Sequence, residues 1–372
     1  MRGKRRNSPE LPDASAGTPE ERRERARQDF TFFRRAYFPH YCLVGGDSRL
    51  HEWLDAELPR MADAPEGVRL AIAAPRGEAK STFVSLFFVL WAVLTGRKHY
   101  ILIIADALEQ AASLLGAVKD ELEFNEALKR DFPGAGKGHV WNVGTVVTPG
   151  NVKIQALGAG KRMRGLRHGP HRPDLIVLDD LENDGNVDKP EQRDKLQSWL
   201  QKTVLNLGAA DGSMDVVYVG TLLHYDSVLA RTLRKPLWKA RTFRSILRWP
   251  DRMDLWDEWE SLLSSRGEAE ARRFYRQHRV KMEAGAEVSW PASRPLYRLM
   301  CLRAEDREAF DSEQQNDPLS ANEAPFNGCI TFWVDRSRDW LLFGAVDPSL
   351  GKQGAGLEDL LVLGLGVAGG LG

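Results

Sequence analysis

The stretch AIAAPRGEAKST, from Ala71 to Thr82, decides the fold of this chain. It joins an apolar, strand-like run (68–73) to a Pro/Gly turn and then to a helix rich in Phe, Leu and Val. A strand, a tight loop and Lys-Ser/Thr at a helix start form a phosphate-binding loop, because backbone N–H groups and the helix N-terminus cradle phosphates. The usual motif, G-x-x-x-x-G-K-[ST], has glycine where Ala74 and Ala79 stand here, so Gly77 alone supplies unrestricted backbone. By itself the pattern also fits an ordinary strand-to-helix turn.

Composition excludes several classes of protein. The 372 residues are 42% hydrophobic, enough for two packed domains, and 52 basic side chains balance 52 acidic ones. A net charge of zero gives no global basic field for nucleic acid. The three cysteines share no metal-ligand spacing. The charged N-terminus does not read as a secretory signal, and the longest apolar run, Phe83–Leu94, is too short for a membrane span.

Strands and helices alternate between residues 68 and 222. Five segments are predicted as strands: 68–73, 100–104, 152–156, 174–178 and 216–220. Helical segments over 107–124 and 189–205 separate some of them. This alternation predicts an α/β fold with a mostly parallel sheet and helices on both faces.

The segment DLIVLDDLEND, Asp174–Asp184, sets acids directly after an apolar strand. Ligands bind at the carboxyl ends of parallel strands, so Asp179 lies beside the phosphate loop if the two strands are neighbours, where it can hold Mg²⁺. A second carboxylate is needed to orient the attacking water, and Asp180 and Glu182 compete for that role. We favour Glu182, because successive strand positions point to opposite faces and Asp180 then turns away. The alternative is an acidic loop that caps the next helix.

Two further segments carry side chains suited to a nucleotide site. In VVYVGTLLHYDS (216–227), Thr221 stands at a strand tip, where a hydroxyl can sense the γ-phosphate. The alternative is a plain strand-to-loop transition. The glycine-rich basic loop GAGKRMRGLRHGPHRP (158–173) can contact a nucleic-acid backbone or a neighbouring active site. Its alternative is a solvated loop.

The order of these motifs resembles one family, the large terminase subunits of tailed bacteriophages, which are DNA-packaging motors. The matching segments run from about Tyr37 to the C-terminus: FPHYCLVGGDSRLHEWL, PRGEAKST, ILIIADALEQAASLL, GAGKRMRGLRHGPHRPDLIVLDDLEND, VVYVGTLLHYDSVLA, FDSEQQNDPLS and AVDPSLGKQGAG. The resemblance implies a RecA-like P-loop ATPase, a helical connector and a ribonuclease-H-like nuclease that cuts DNA into genome units.

The resemblance also implies roles for individual residues. Five residues are implied to contact phosphate or Mg²⁺: Gly77, Lys80, Ser81, Thr82 and Asp179. Asp180 or Glu182 is implied as the catalytic carboxylate, and Thr221 as the residue that couples hydrolysis to movement.

The resemblance also implies that two arginines stabilise negative charge in the transition state of hydrolysis. Arg76 lies inside the loop, and Arg164 is expected to act on a neighbouring subunit. Arg49 and His51 stand where the family's upstream nucleotide-contacting segment begins.

The nuclease half departs from the family pattern. Asp347 and Asp359 match metal-binding acids, but a two-metal site needs more carboxylates, and the sequence given ends at Gly372. DNA cleavage is therefore expected to be absent. The predicted divisions are a disordered charged segment (1–27), the P-loop ATPase (28–230), the connector (231–338) and an incomplete nuclease domain (339–372).

The resemblance implies ATP and Mg²⁺ as cofactors. It implies double-stranded viral DNA, the small terminase subunit and the procapsid portal as partners, a homo-oligomeric ring when active, and no membrane. The expected location is the bacterial host cytoplasm, and transiently the portal. Two alternatives stay open: a catalytically inactive prophage remnant that binds DNA or assists assembly, and a helicase-like DNA-dependent ATPase.

Overall fold

The computed structural model describes residues 17–42 and 45–318. The predicted nuclease segment, with Asp347 and Asp359, lies outside the described residues.

The centre of the molecule is an eight-stranded sheet in the order β3-β4-β5-β2-β6-β7-β1-β8. Its strands are β1 (Arg69–Ala73), β2 (Tyr100–Ala105), β3 (Val140–Trp141), β4 (Thr145–Val147), β5 (Lys153–Gly158), β6 (Leu175–Asp179), β7 (Asp215–Gly220) and β8 (Lys239–Thr242). The six from β5 to β8 in this order are parallel, and β3 and β4 add an antiparallel edge. The predicted α/β fold with a mostly parallel sheet is confirmed.

The five predicted strands correspond to β1, β2, β5, β6 and β7. Every residue of β2, β6 and β7 is buried, because helices cover both faces of the sheet. The acidic strand β6 and the phosphate-loop strand β1 are not neighbours, since β7 pairs with both. The carboxyl ends of all three strands nevertheless meet at one edge of the sheet.

Thirteen α-helices occur among the described residues. They are α1 (Pro19–Gln28), α2 (Phe30–Tyr37), α3 (Arg49–Ala62), α4 (Val89–Leu94), α5 (Leu108–Phe124), α6 (Glu126–Asp131), α7 (Asp184–Val187), α8 (Pro190–Lys202), α9 (Val228–Leu233), α10 (Met253–Arg266), α11 (Glu268–Glu283), α12 (Leu296–Glu305) and α13 (Arg307–Glu313). Short 3₁₀ turns cover Pro39–Tyr41 and Val204–Asn206, and a π-helical segment, Thr82–Phe88, leads into α4. None of the helices in the described ranges is both long and apolar enough to cross a membrane.

Two apolar cores fix the sheet between its helices. One face packs against α1 to α5 through an aromatic-rich core, and the other packs against α8 and α9. The helix that follows the phosphate loop is buried along its length, which holds its N-terminus at the carboxyl end of β1.

The prediction of disorder over residues 1–27 is wrong for the described part of that segment, because α1 begins at Pro19. A capping box between Thr18 and Glu21 starts this helix. Arg22 forms a buried ion pair with Asp131, and Ala26 is fully buried. The prediction of disorder relied on local composition. It could not include Asp131, the partner of Arg22, because that residue lies 109 residues away in the sequence.

The described part of the predicted connector is mostly helical, but it also supplies β8, so the large sheet extends beyond the predicted boundary at residue 230. Helices α10 to α13 and a short antiparallel pair, β9 (Ile246–Arg248) and β10 (Glu287–Val288), enclose a third core built around Trp256, Trp259 and Tyr275. From this core the chain returns to the carboxyl edge of the large sheet through α13.

Candidate nucleotide site at the carboxyl edge of the sheet

The loop after β1 has left-handed backbone at two positions, one of which is an alanine. Gly77 has φ +78°, and Ala79 has φ +56°. A left-handed conformation costs a residue with a Cβ about 1–2 kcal/mol, which explains why the usual motif has glycine at this position. The chain keeps the backbone shape and accepts local strain at Ala79.

Lys80 joins three strand ends. Its side chain is 8% exposed, and its Nζ donates to Thr221 Oγ1 at 3.1 Å and lies 3.3 Å from Asp180 Oδ2. Thr221 in turn donates to the carbonyl of Ala74 at 3.2 Å. The loop after β1, the end of β6 and the end of β7 therefore meet at one ammonium group.

Two serines hold Asp179 at the start of the helix. Ser81 Oγ donates to Asp179 Oδ1 at 2.9 Å, and Ser85 Oγ donates to Asp179 Oδ2 at 2.5 Å. Asp179 is fully buried. Burial, and then the neighbouring Asp180 carboxylate, raise the pKa of Asp179 to about 6.

The oxygens of Asp179 and Ser81 are of the kind that Mg²⁺ prefers, and they lie together where the loop becomes a helix. Among the described residues, no group of three or more His, Cys, Asp or Glu side chains is arranged to hold a metal ion. The two side chains therefore suit a cation that also takes oxygens from phosphate and water. A cation there would lower the pKa that burial raises.

Asp180 faces the lysine. Its backbone is left-handed, with φ +45°, so the strand alternation that led us to expect it to turn away ends before this residue. Its carboxylate lies beside Gly220 at the end of β7, with Oδ2 3.3 Å from Lys80 Nζ. The reason given for preferring Glu182 over Asp180 is therefore wrong.

Glu182 is engaged elsewhere. Its Oε1 accepts from the N–H of Val228 at 2.7 Å, and its Oε2 accepts from Leu229 N–H at 3.1 Å and from the Tyr218 hydroxyl at 3.2 Å. Burial raises the pKa of Glu182. Glu182 thus satisfies N–H groups at the start of α9, whereas the alternative raised from the sequence was a cap on the next helix; that helix, α7, is capped by Asn183.

The two predicted arginines do not reach Lys80 or the acids in the described structure. Arg76 is largely exposed and pairs with Glu313, at 2.6 Å between Nη1 and Oε1. Arg164 is exposed, and within the described ranges it has no ion pair or hydrogen bond to the site. Thr82 begins the helical segment beside Ser81.

The upstream segment contacts the loop through His51. Its Nε2 lies 2.9 Å from the carbonyl oxygen of Glu78, and its ring stacks on Phe83. Arg49 instead pairs with Glu52 and Glu287 at the rim of a cavity of about 750 Å³.

This cavity adjoins the start of the phosphate loop. It is lined by two aromatic residues and three arginines: Trp53, Phe243, Arg49, Arg241 and Arg244. Phe243 N–H donates to the carbonyl of Ala73 at 2.8 Å, directly before the loop. The cavity thus offers aromatic surface and arginine side chains next to the loop backbone, and Glu52, which pairs with Arg49, also lines it.

Sequence reasoning missed three residues that contact the site. Ser85 was detectable, because it lies four residues after Ser81 and such residues share a helix face. Arg294 gave no local signal, and Asn316 lies in the segment FDSEQQNDPLS, which was matched to the terminase family without a role for this residue. Arg294 fills the space that a Cβ at Gly77 would need, and Asn316 Oδ1 accepts from Leu222 N–H at 2.9 Å.

Comparison with solved structures finds the large terminase ATPase domain of Thermus phage P74-26. The likeness has 15% identity and a TM-score of 0.36 over 70% of this chain and 92% of that one. A mutant form of the same domain gives 14% identity and a TM-score of 0.35, with coverages of 69% and 90%. No family model and no curated protein matches the chain. A likeness this weak carries no argument, so the site is interpreted from its own geometry.

Proposed function

We propose that this chain is an ATPase whose nucleotide lies along the loop from Ala74 to Lys80. The observation that carries the proposal is the convergence of Lys80, Thr221 and Asp180 within 3.3 Å at the carboxyl ends of three strands. A buried ammonium at the start of a helix, beside a loop with left-handed backbone at Gly77 and Ala79, suits a phosphate chain.

Each side chain has a task in this proposal. Lys80 exchanges its present partners for the outer phosphate oxygens and neutralises charge in the transition state. Asp179 and Ser81 hold Mg²⁺, which supplies charge neutralisation at the phosphates when bound. Asp180 orients the attacking water, since it lies next to Lys80, whereas the Glu182 carboxylate accepts hydrogen bonds from the start of α9. The cavity beside Phe243 takes the nucleotide base.

We further propose that hydrolysis drives translocation of double-stranded viral DNA into a procapsid, as in a large terminase subunit. The support is the order of motifs in the sequence, from the loop through the basic segment to Thr221. The partners in this proposal are the small terminase subunit, the portal protein and further copies of the chain in a ring within the bacterial cytoplasm.

Replacement of Lys80 by alanine tests the ATPase proposal. We expect steady-state ATP turnover to fall by roughly 100-fold or more, because one charged donor to the transition state is lost. Lys137→Ala, at an exposed lysine, is the matched control and should keep wild-type turnover. Circular dichroism of both variants checks folding. Equal turnover in the Lys80 variant and wild type would reject the phosphate-loop assignment.

The packaging proposal needs a separate experiment. Purified chain, procapsids with portal and linear DNA are mixed with ATP, and DNA protected from nuclease is measured. Protection that requires portal, ATP and Lys80 is expected for packaging. ATP turnover that depends on DNA alone, with no protected DNA, would favour the helicase-like alternative. Absence of any turnover would favour the inactive remnant.

A further inference from the structure

The start of α3 contacts the loop after β1 through one buried side chain, that of His51. This residue is 3% exposed and lies in the first turn of the helix, three residues after the N-cap, Ser48. Its Nε2 lies 2.9 Å from the carbonyl oxygen of Glu78. The cavity beside Phe243 is lined by other residues of α3 and not by His51. The imidazole therefore meets the backbone of the loop itself.

The partners of His51 determine which ring nitrogen carries the proton. The N–H of Ser48 donates to Nδ1 at 3.2 Å, so Nδ1 must offer a lone pair. A carbonyl oxygen only accepts, so Nε2 carries a hydrogen and donates it to Glu78. Asp47 Oδ1 lies 3.7 Å from Nδ1, which is beyond hydrogen-bond distance. The ring is therefore neutral, and one nitrogen contacts the start of α3 while the other contacts the loop.

The hydrogen bond from Nε2 acts next to the left-handed residue of the loop. In a trans peptide the carbonyl oxygen and the following N–H point to opposite sides, and no peptide bond among the described residues is cis. Because the Glu78 carbonyl points to His51, the N–H of Ala79 is turned away from α3. Ala79 has φ +56°, a conformation that a residue with a Cβ keeps only when its surroundings hold it there.

His51 also supports the chain on the other side of Ala79. Its ring stacks on that of Phe83, with centroids 4.2 Å apart and planes 10° apart. The N–H of Phe83 donates to the carbonyl of Ala79 at 3.0 Å, so the residue that starts the buried helix is packed against the imidazole. Trp290 meets the same ring edge-on at a centroid distance of 4.7 Å and restricts its orientation.

We propose that His51 is a positioning residue of the candidate nucleotide site, which holds the peptide between Glu78 and Ala79 in its left-handed turn. The inference rests on the proposed ATPase function. Glycine, which the usual motif has at position 79, adopts this conformation without support, whereas alanine needs a partner outside the loop. His51 supplies that partner, and it thereby keeps the N–H groups of Ala79 and Lys80 oriented for a phosphate chain.

Two substitutions separate the loop contact from the helix cap. His51→Asn still accepts from the N–H of Ser48 but is too short to reach Glu78, whereas His51→Gln places an amide donor near the position of Nε2. Binding of Mg²⁺ and ATPγS is measured by titration calorimetry. We expect His51→Asn to bind roughly three- to tenfold more weakly than wild type and His51→Gln to stay within about twofold, because only the first loses the hydrogen bond to the loop. His139→Asn, at an exposed histidine, is the matched control and should bind as wild type does.

An Ala79→Gly background tests why the contact is needed. Since glycine adopts the left-handed conformation unaided, His51→Asn should weaken binding by less than about twofold in that background. Wild-type affinity of His51→Asn, equal weakening by both His51 substitutions, or the same loss in both backgrounds would overturn the positioning role. Each of these results would leave the ATPase proposal standing, provided that Lys80→Ala still abolishes binding.

Hydrogen exchange in the nucleotide-free protein gives a readout that does not depend on ATP. Peptides that cover residues 76–82 should exchange faster in His51→Asn than in wild type and His51→Gln, because the loop opens more often without its contact. Exchange that is unchanged in His51→Asn would contradict the role of His51. If the exchange differs as expected but the wild-type chain fails to bind the nucleotide, the ATPase proposal is overturned and the contribution of His51 to the loop conformation stands.

Discussion

The loops of the candidate site, at the carboxyl edge of the sheet, differ in backbone and charge from the aromatic layer that packs on one face of the sheet. In the aromatic layer, formed by Phe30, Phe33, Tyr37, Phe88 and Trp91, each ring is at most 2% exposed and packs edge-on or tilted against a neighbour. Its polar atoms are partnered: Trp91 Nε1 donates to the carbonyl of Ala26, and the Tyr37 hydroxyl donates to Asp131.

The site loops instead concentrate left-handed backbone and buried charge. Four non-glycine residues in the described chain have positive φ, and three of them, Ala79, Asp180 and Asn316, lie at the site. Asp179 and Glu78 are buried carboxyl groups, and Glu78 Oε1 has no hydrogen-bond partner among the described residues. We infer that the closely packed aromatic layer supplies the stability that keeps the left-handed backbone and buried carboxyl groups of the site loops in place.

The largest expected effect is in the aromatic layer. Trp91→Ala should lower the free energy of unfolding by about 3–5 kcal/mol, because it leaves a cavity and an unpaired carbonyl at Ala26. Urea denaturation measures this loss. Phe124→Ala, at a ring that is 67% exposed, should change stability by less than about 0.5 kcal/mol. A loss below about 1 kcal/mol at Trp91 would show that the layer is not the stable part of the molecule.

The second prediction distinguishes Asp180 from Glu182 as the carboxylate that orients the attacking water. Asp180→Asn should reduce ATP turnover by roughly 100-fold with little change in melting temperature, because asparagine tolerates the left-handed backbone. Glu182→Gln should keep turnover within a few-fold and lose about 1 kcal/mol of stability, because α9 loses a charged acceptor. Paired measurements of kcat and Tm test both. The reverse pattern would restore Glu182 as the catalytic carboxylate.

The sequence predicted those parts of the fold that local patterns encode. Apolar runs located β1, β2, β5, β6 and β7, since buried parallel strands are continuous hydrophobic segments. The exposed edge strand β8, with the sequence KART, gave no such signal. The insertion of β7 between β6 and β1 also escaped prediction, because strand order depends on long-range pairing.

The sequence predicted which side chains gather at the candidate site better than it predicted their orientation. Lys80, Ser81, Asp179 and Thr221 were named because their residue types stand at strand ends and a helix start, and the structure brings them together; their roles stay predictions. The orientation of Asp180 was missed, since one left-handed residue reverses the direction that strand alternation predicts. Contacts from Arg294, Glu313 and Asn316 were not predicted, because only tertiary packing brings these residues to the loops of the site.

Strain at Ala79 gives the third prediction. Ala79→Gly should raise the free energy of unfolding by about 0.5–1 kcal/mol, because relief of the left-handed backbone outweighs the extra entropy of the unfolded chain. Ala112→Gly, in the interior of α5, should lower it by about 0.5–1 kcal/mol. Opposite signs for the same substitution, measured by urea denaturation, would confirm that the loop is strained. A loss at both positions would contradict it.

The smallest expected effect is a change in stability with pH that comes from the titration of Glu78. Burial raises the pKa of Glu78, although a hydrogen bond from Ser289 and the nearby His51 and Arg294 oppose the shift. A carboxyl group whose folded-state pKa is raised favours folding while it is protonated, and this contribution is lost as pH rises through the folded pKa. Above that pH the folded state must hold an ionised carboxylate inside the loop.

Glu78→Gln removes this titration and keeps the shape of the side chain. We expect the melting temperature of the variant to rise relative to wild type as pH increases from about 4.5 to 8, with the smallest difference at the acidic end. Glu66→Gln, at an exposed glutamate before β1, should give a difference that does not grow in this way. Arg294 lies close enough to affect Glu78 by charge, so the same series in an Arg294→Gln background should show a steeper dependence. A difference between Glu78→Gln and wild type that is constant over this pH range would mean that Glu78 remains ionised throughout, and that the loop tolerates its charge as readily as water does.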